Sequence, residues 1–369
     1  MKKDRKSNIE LLRIVSMFMI VFSHVTWEGR FSYPKSNIPH NTIIQFPWLF
    51  GQIGVIVFTL ISAYFLSKKK EVNVKSISKL AKITWFWSIL ALMVAITMGG
   101  NGLLNLKIII NLLFPILRGT YWYVTAYIAM YLLMPYLNIV IDKLNKRNYI
   151  IFLTLLLVIC SVIPTFTGVT AIDSANNSGS VYSLIVIYFI GGFIRKFEND
   201  LVYSNKKLIG LFIISIIIST IILYLLNFLN SRGIIDINST NKLYGRFAKT
   251  NSIFQIISST LLFLFFKNIN INYSKVINYI AGSMISVYII HTNPVVMNIL
   301  WNKIIRINIY ERSQYILFIE LVVAAGVFCS SLILDILRRE ILDFCKKKVV
   351  LRKHQMTDNA IFDRRKKVA

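Results

Sequence analysis

A chain of 369 residues that is 56% hydrophobic and only 16% charged has too few polar side chains to coat one water-soluble core. Its net charge of +26 would suggest nucleic acid as the partner of a soluble protein, but its Lys and Arg residues lie between long apolar runs. The composition therefore excludes a soluble nucleic-acid-binding protein and predicts a chain embedded in a lipid bilayer.

The apolar runs have the length of membrane-crossing helices, since about 20 residues cross about 30 Å of hydrocarbon. They do not alternate as barrel strands would, so the predicted fold class is an all-α, polytopic membrane helix bundle. The first run follows the basic head MKKDRK and is predicted to be a retained signal anchor. Ten spans are predicted, at 9–27, 47–66, 80–98, 121–141, 148–166, 181–197, 208–229, 252–266, 277–300 and 314–337.

A further apolar run at 105–118 is shorter and contains a lysine and a proline, so we expect it to be re-entrant or interfacial. With ten spans, most Lys and Arg residues fall on the side that holds both termini, including three in 142–147, whereas 167–180 has none. Positive charge marks the cytoplasmic side. We therefore predict a multi-pass protein of the bacterial cytoplasmic membrane with both termini inside, a membrane domain over 1–337 and a basic cytoplasmic tail over 338–369.

Few ionisable side chains lie within the predicted spans, and each is a functional candidate because a charge in lipid is costly. Arg13 and His24 are eleven residues apart in the first span, which places them on one helix face about 16 Å apart along the axis. Glu10 precedes Arg13 by three residues, a spacing that allows an ion pair. Two alternatives stay open, namely a snorkelling Arg13 and a His24 bonded to a backbone carbonyl.

The ninth span contains the segment SMISVYIIHTNP, which places Tyr288, His291 and Asn293 within two turns. Pro294 is expected to kink this helix, and kinked helices often line cavities. The alternative is an ordinary kinked helix with an interhelical hydrogen bond. In the last span, Glu320 needs a partner that the sequence does not identify.

Other groups have simpler interpretations. The YWY triplet at 121–123 and the pair Trp85 and Trp87 are predicted to form interfacial aromatic belts. The three cysteines have neither a pairing pattern nor a metal-ligand spacing, so no metal site is predicted. The basic stretch at 68–82 fits topology and anionic lipid, and it would also suit a cosubstrate that carries phosphate.

Four segments in order resemble the acyltransferase 3 family, integral membrane enzymes that modify bacterial surface polysaccharides. In NIELLRIVSMFMIVFSH, Arg13, ten residues and His24 resemble the family's first helix. The second span resembles its glycine, phenylalanine and serine-small-residue pattern through Gly51, Gly54, Phe58, Ser62 and Ala63. Segments 122–138 and 286–294 are also similar to family segments. The resemblance covers roughly residues 7 to 337.

One position departs from the family pattern. Many members have Arg-x-x-Arg entering the third helix, where this chain has Lys79 and Lys82. The charge is kept, but an ammonium group lacks the planar fork with which a guanidinium binds phosphate.

The resemblance implies an O-acyltransferase, most often an O-acetyltransferase. Cytoplasmic acetyl-CoA or another acyl-CoA would be the cosubstrate, with no bound cofactor, and a sugar hydroxyl of a capsule, exopolysaccharide or lipid-linked glycan would be the acceptor. His24 and Arg13 are the predicted catalytic residues, and Lys79 and Lys82 are predicted to bind acyl-CoA. The predicted substrate cavity contains Tyr288, His291, Asn293, Glu320, Glu10 and Ser62.

Three further possibilities accompany this prediction. A separate acyl-carrying enzyme could complete the transfer. A glycan transporter or flippase without chemistry is the main alternative, and paired broken helices in matched halves would favour it. A purely structural subunit of polysaccharide assembly is the third, and it requires that neither membrane histidine matters.

Overall fold

The computed structural model describes residues 6–33, 37–98, 103–168, 181–234 and 245–368, with the backbone alone at 302, 346, 347 and 349–368. The described residues are helical and contain no strand, which confirms the predicted all-α class. The α-helices are α1 (Ser7–Glu28), α2 (Ile38–Gln45), α3 (Trp48–Leu66), α4 (Val74–Thr97), α5 (Leu106–Leu113), α6 (Trp122–Lys143), α7 (Lys146–Leu157), α8 (Ile163–Thr167), α9 (Val181–Lys196), α10 (Asn205–Ser231), α11 (Ile253–Asn268), α12 (Lys275–Ala281), α13 (Met284–His291), α14 (Pro294–Ile299) and α15 (Ile316–Val368).

Seven helical stretches among the described residues are long and apolar enough to cross a membrane. They are Ser7–Glu28, Ile38–Leu66, Val74–Thr97, Trp122–Lys143, Lys146–Thr167, Asn205–Ser231 and Ile316–Cys345. Each overlaps a predicted span. The other three predicted spans correspond to the shorter helices α9 and α11 and to the group α12–α14. The number of spans therefore stays a prediction.

Hydrogen bonds join the predicted cytoplasmic segments at one end of the bundle, which we call the inner end. The Asn8 amide donates to the carbonyl of Phe266 (3.0 Å), which links the start of α1 to the end of α11. The Asn138 amide donates to the carbonyl of Lys69 (2.7 Å), which links the end of α6 to the loop after α3. Asn268 also donates to the Tyr203 carbonyl (3.1 Å) and Lys146 to Asp200 (2.7 Å), so these predicted cytoplasmic segments lie at one end of the molecule.

The opposite end, which we call the outer end, contains the segments that connect α1 to α2 and α14 to α15. The Glu311 carboxylate accepts the backbone N–H groups of Ser32 and Tyr33, both at 2.8 Å, and so joins these two connections. Helix α5 has eight residues and is about 12 Å long, which is shorter than the hydrocarbon thickness. Its re-entrant or interfacial placement stays a prediction.

Helices α1 and α3 approach closely because α3 presents glycines to α1. A Cβ atom added at Gly54 would lie 2.5 Å from the backbone carbonyl oxygen of Ser16, a distance that real Cβ atoms do not adopt. Helix α9 reaches the other side of α3 in the same way, since a Cβ at Gly191 would lie 2.5 Å from Ala63 Cβ. Small residues at such interfaces let backbones pack tightly in a membrane. These contacts fix the orientation of α1 and so the directions in which Arg13 and His24 project.

The predicted ninth span is interrupted rather than kinked. Asn293 caps α14, with its side-chain oxygen accepting the N–H of Val295 (3.0 Å) and its backbone extended, as residues before proline prefer. Pro294 occupies the first turn of α14, where its missing N–H needs no partner. The capped break ends α13 at His291 and leaves this ring in the last turn of a short helix.

Candidate active site

A cavity of about 420 Å³ opens at the outer end of α1, and we call it the outer cavity. Four of the chain's six tryptophans line it: Trp27, Trp48, Trp122 and Trp301. His24 and His291 face the same space, together with Tyr288. The outer cavity thus combines aromatic walls with a pair of titratable rings.

The two membrane histidines are hydrogen-bonded to each other. His24 Nδ1 lies 2.9 Å from His291 Nε2, and His291 Nδ1 lies 2.6 Å from the carbonyl oxygen of Val287. A carbonyl oxygen can only accept, so His291 Nδ1 carries a hydrogen and, in the neutral ring, Nε2 is the acceptor. His24 Nδ1 is consequently the donor. This network assigns neutral His24 the tautomer whose Nε2 is free to take a proton.

The two rings differ in exposure. His291 is 1% exposed, whereas His24 is partly exposed. The bond to a backbone carbonyl considered for His24 is found at His291 instead. Of the two rings that line the outer cavity, His24 is therefore the accessible one and His291 the buried one.

Arg13 lines a second cavity of about 340 Å³ toward the inner end of α1, which we call the inner cavity. Its Nε lies 3.6 Å from a carboxylate oxygen of Glu10, which confirms the predicted i,i+3 pair. Ser62 and Lys79 also line the inner cavity. Glu10 and Ser62 line a neighbouring space of about 440 Å³ that includes Arg13 as well. Arg13 thus faces cavities inside the protein.

Lys79 and Lys82 lie one turn apart on α4 and are both exposed. Lys79 lines the inner cavity, and both lysines line an adjoining cavity of about 1100 Å³. The structure thus places the two predicted acyl-CoA-binding residues beside the space that contains Arg13.

A column of tyrosines runs along the inner cavity and ends where the outer cavity begins. Tyr123, Tyr127 and Tyr131 repeat every four residues on α6, and their rings stack at 6.0 and 6.1 Å between centroids. The Tyr288 ring lies 6.1 Å from Tyr123 and 6.2 Å from His291. Tyr123 lines the inner cavity and Tyr288 lines the outer one. The Tyr123–Tyr288 contact is therefore the boundary between the two spaces.

The aromatic-belt prediction is wrong for part of the YWY triplet. Tyr121 and Tyr123 are 1% and 7% exposed and lie inside the bundle. The Tyr121 hydroxyl accepts hydrogen bonds from Asn293 Nδ2 (2.8 Å) and Ser88 Oγ (3.1 Å). Trp87 is also buried, whereas Trp85 is exposed. The i, i+4, i+8 spacing of Tyr123, Tyr127 and Tyr131 was the sequence signal for a buried column.

Asn293 and Glu320 make contacts that the sequence did not identify. The Asn293 side chain caps α14 and donates to a tyrosine, so its contacts favour a structural role. Glu320 is fully buried and accepts a hydrogen bond from the Thr26 hydroxyl at 2.9 Å. Thr26 is thus one partner of Glu320, and the bond joins α15 to α1, while the other carboxylate oxygen is buried without a hydrogen bond to the described residues.

Comparison with known families decides the class of the protein. A family model described as an acyltransferase domain, that of acyltransferase 3, matches residues 6–335. The chain belongs to the acyltransferase 3 family. Neither the comparison with curated proteins nor the comparison with solved structures gave a match.

Membership in the acyltransferase 3 family and the apolar helices together indicate a membrane acyltransferase. In this acyltransferase, the residues that carried the resemblance meet around α1 and α3. Gly54 sets the contact between the two helices, while Arg13 and His24 face different cavities from one helix. The His24–His291 bond and the tryptophan walls were missed because they join residues far apart in the chain.

Proposed function

We propose that the protein is a membrane O-acetyltransferase. It would move an acetyl group from cytoplasmic acetyl-CoA to a sugar hydroxyl of a cell-surface polysaccharide or lipid-linked glycan. One observation carries this proposal, namely that a single helix presents Arg13 to a cavity with a basic mouth and His24 to a tryptophan-lined cavity at the other end. A donor and an acceptor that come from opposite sides of a membrane need such an arrangement.

In the proposed reaction His24 is the general base. Its Nε2 takes the proton of the acceptor hydroxyl while the hydroxyl oxygen attacks the carbonyl carbon of the thioester. The carbon–sulfur bond breaks, and the departing CoA thiolate receives the proton from the His24 imidazolium. An ester and free CoA are formed, and the histidine returns to its starting state.

His291 supports this step through its position. When His24 becomes charged, its Nδ1–H donates to the neutral Nε2 of His291, and a hydrogen bond to a charged group is stronger than one between neutral groups. The bond from His291 to the Val287 carbonyl holds the accepting nitrogen toward His24. His291 is thus proposed as a positioning residue, and His24 as the residue that contacts the substrate.

Arg13 is proposed to act on the donor. It lies about 16 Å from His24 along the helix axis, too far to contact the acceptor hydroxyl at the same time. A guanidinium in the inner cavity attracts the anionic donor and orients its arm toward the Tyr123–Tyr288 boundary. The acyl end reaches His24 by passing these rings.

The walls of the outer cavity support a sugar as the acceptor. Tryptophan rings offer flat apolar faces to the C–H face of a sugar ring, while their edges and nearby polar groups contact hydroxyls. Gln52 and Lys249 supply such polar groups in the same cavity. Small-molecule sites typically have apolar and aromatic walls with a few polar groups that fix the orientation of the ligand.

The proposed topology places the inner end in the cytoplasm of a bacterial cell, with both termini there. The hydrogen bonds among the inner-end segments and the basic residues around that end support it. The lipid bilayer, acyl-CoA and the glycan acceptor are the partners that this proposal requires. A separate acyl-carrying enzyme is a further partner only if another protein completes the transfer.

The decisive experiment compares the surface polysaccharide of cells with and without the gene. Loss of O-acetyl signals from an otherwise intact polymer, with recovery on expression of the wild-type protein, is expected. His24→Gln should not restore these signals at matched expression, because glutamine cannot take the proton. His40→Gln is the matched control, since His40 lies on α2 and its ring bonds to a backbone carbonyl.

Two results would contradict the proposal. Loss of polymer export without loss of O-acetyl groups would favour a glycan transporter. Full recovery by His24→Gln would remove His24 from the chemistry.

A further inference from the structure

The large cavity at the inner end is surrounded by basic side chains from two distant parts of the chain. Its volume is about 1100 Å³, and α4, α12 and α15 form its walls. The basic residues that line it are Lys75, Lys79, Lys82, Arg338 and Arg339, and Asp343 is the carboxylate among the lining residues. The lining therefore carries an excess of positive charge and suits a ligand with several negative charges.

The two arginines are held in place rather than free in solvent. Arg338 donates from Nε to Asp335 at 2.8 Å, with its NH2 group also 2.8 Å from the same carboxylate oxygen, and Asp335 is fully buried. Arg339 donates from NH1 to the Tyr279 carbonyl and the Ser283 hydroxyl, both at 2.9 Å. Both guanidinium groups are thus oriented before any ligand binds.

Each arginine keeps donors for a ligand. A guanidinium has five N–H groups in a planar fork, and the contacts above occupy two of them in each arginine, which leaves three. Such forks bind phosphate through paired hydrogen bonds, whereas lysine supplies a point charge. The α15 arginines therefore provide the guanidinium groups that α4 lacks at Lys79 and Lys82.

The basic cavity leads to the inner cavity. Lys79, Ile83 and Gly282 line both spaces. Gly282 lies where α12 ends, and a Cβ atom there would come within 3.3 Å of Arg339 NH1. A ligand whose charged part lies among the arginines can thus extend past Gly282 toward Arg13.

We propose that Arg338 and Arg339 bind the phosphate groups of acyl-CoA, with the pantetheine arm extending through the inner cavity past Arg13 toward His24. The identity of the ligand rests on the function proposed above. Both arginines lie beyond residues 6–335, which the acyltransferase 3 model matches, so this contribution comes from the part of α15 that follows the family domain. The segment predicted as a basic tail thus begins inside the donor site.

Direct binding of CoA tests this proposal without any need for transfer. The full-length protein in phosphatidylcholine nanodiscs is titrated with CoA, 3′-dephospho-CoA and pantetheine. CoA should bind at least about tenfold more tightly than pantetheine, because a charge-assisted hydrogen bond is worth about a factor of ten or more. Arg339→Gln should raise the Kd of CoA about tenfold and leave that of pantetheine unchanged.

Two variants serve as controls for structure and for general charge. Arg338→Lys keeps a cation beside the buried Asp335 but loses the planar fork, so it should raise the Kd of CoA by a smaller factor. Lys348→Gln removes one charge from an exposed position on the same helix and should leave the Kd of CoA unchanged.

Several outcomes would overturn the proposal. An unchanged Kd for CoA in Arg339→Gln would do so, as would a Kd that rises equally for CoA and pantetheine, because the effect of the arginine would then not depend on the phosphates. If phosphatidylglycerol added to the nanodiscs binds the wild-type protein but not Arg339→Gln, while CoA binds both equally, the cavity belongs to lipid headgroups. A different outcome separates the two proposals: tight CoA binding that depends on both arginines, in a protein that transfers no acyl group, would support this site and refute the proposed function.

Discussion

Removal of the hydrogen-bond acceptor at His291 tests whether the two histidines act as a unit. His291→Leu leaves the His24 Nδ1–H without the acceptor that now lies 2.9 Å away. A hydrogen bond to a charged group contributes about 1.5 to 3 kcal/mol. If the imidazolium form of His24 depends on this bond, kcat should fall by about 10- to 150-fold.

The effect should be confined to kcat. We would measure transfer of labelled acetyl groups from acetyl-CoA in membranes that contain the acceptor, at matched expression of each variant. His291→Gln retains an acceptor and should lose less activity than His291→Leu. The apparent acetyl-CoA requirement should stay constant, since His291 lies in the outer cavity, away from the proposed donor site.

The double variant supplies the sharpest test. His24→Gln alone should reduce the rate by a factor of about 10² to 10⁴, as expected for loss of a general base. If His291 acts only through His24, adding His291→Leu to His24→Gln should cause little further loss. Losses that multiply would show that His291 contributes independently, and the proposed positioning role would be wrong.

Three further predictions concern the donor site, the packing and the topology. Replacing both Lys79 and Lys82 with Gln should raise the apparent acetyl-CoA requirement, with a smaller effect at high salt because ions screen exposed charges; a constant requirement would leave these lysines a topological role only. Gly54→Ala should force α1 away from α3, lower the free energy of unfolding by about 1 to 3 kcal/mol and so lower the thermal unfolding temperature. Gly210→Ala is the control and should leave that temperature unchanged, because an added Cβ there meets nothing within 4 Å. On a cysteine-free background, single cysteines in 142–147 should react with an impermeant reagent only from the cytoplasmic side, and labelling from outside would overturn the proposed topology. The sequence also predicts labelling of positions 167–180 from outside, and these positions lie almost entirely outside the described residues.

The sequence identified the class of the molecule and several of its important residues. Runs of about 20 apolar residues require helices, because lipid offers no partner for backbone groups. The spacing of Glu10 and Arg13 was enough to predict their pair, and helical periodicity predicts that Arg13 and His24 share one face. These inferences are local, and local geometry in a helix follows from spacing alone.

Other features depend on which helices meet, and spacing within one helix does not contain that information. His24 and His291 are 267 residues apart, and their bond exists only because the capped break at Asn293 ends α13 beside α1. The same holds for Glu320 and Thr26, and for Arg338 beside the lysines of α4. The sequence by itself determined a membrane acyltransferase with a histidine and an arginine on one helix. Tertiary packing decided which nitrogen of that histidine is free to accept a proton, because the tautomer is fixed by a neighbour that only the fold supplies.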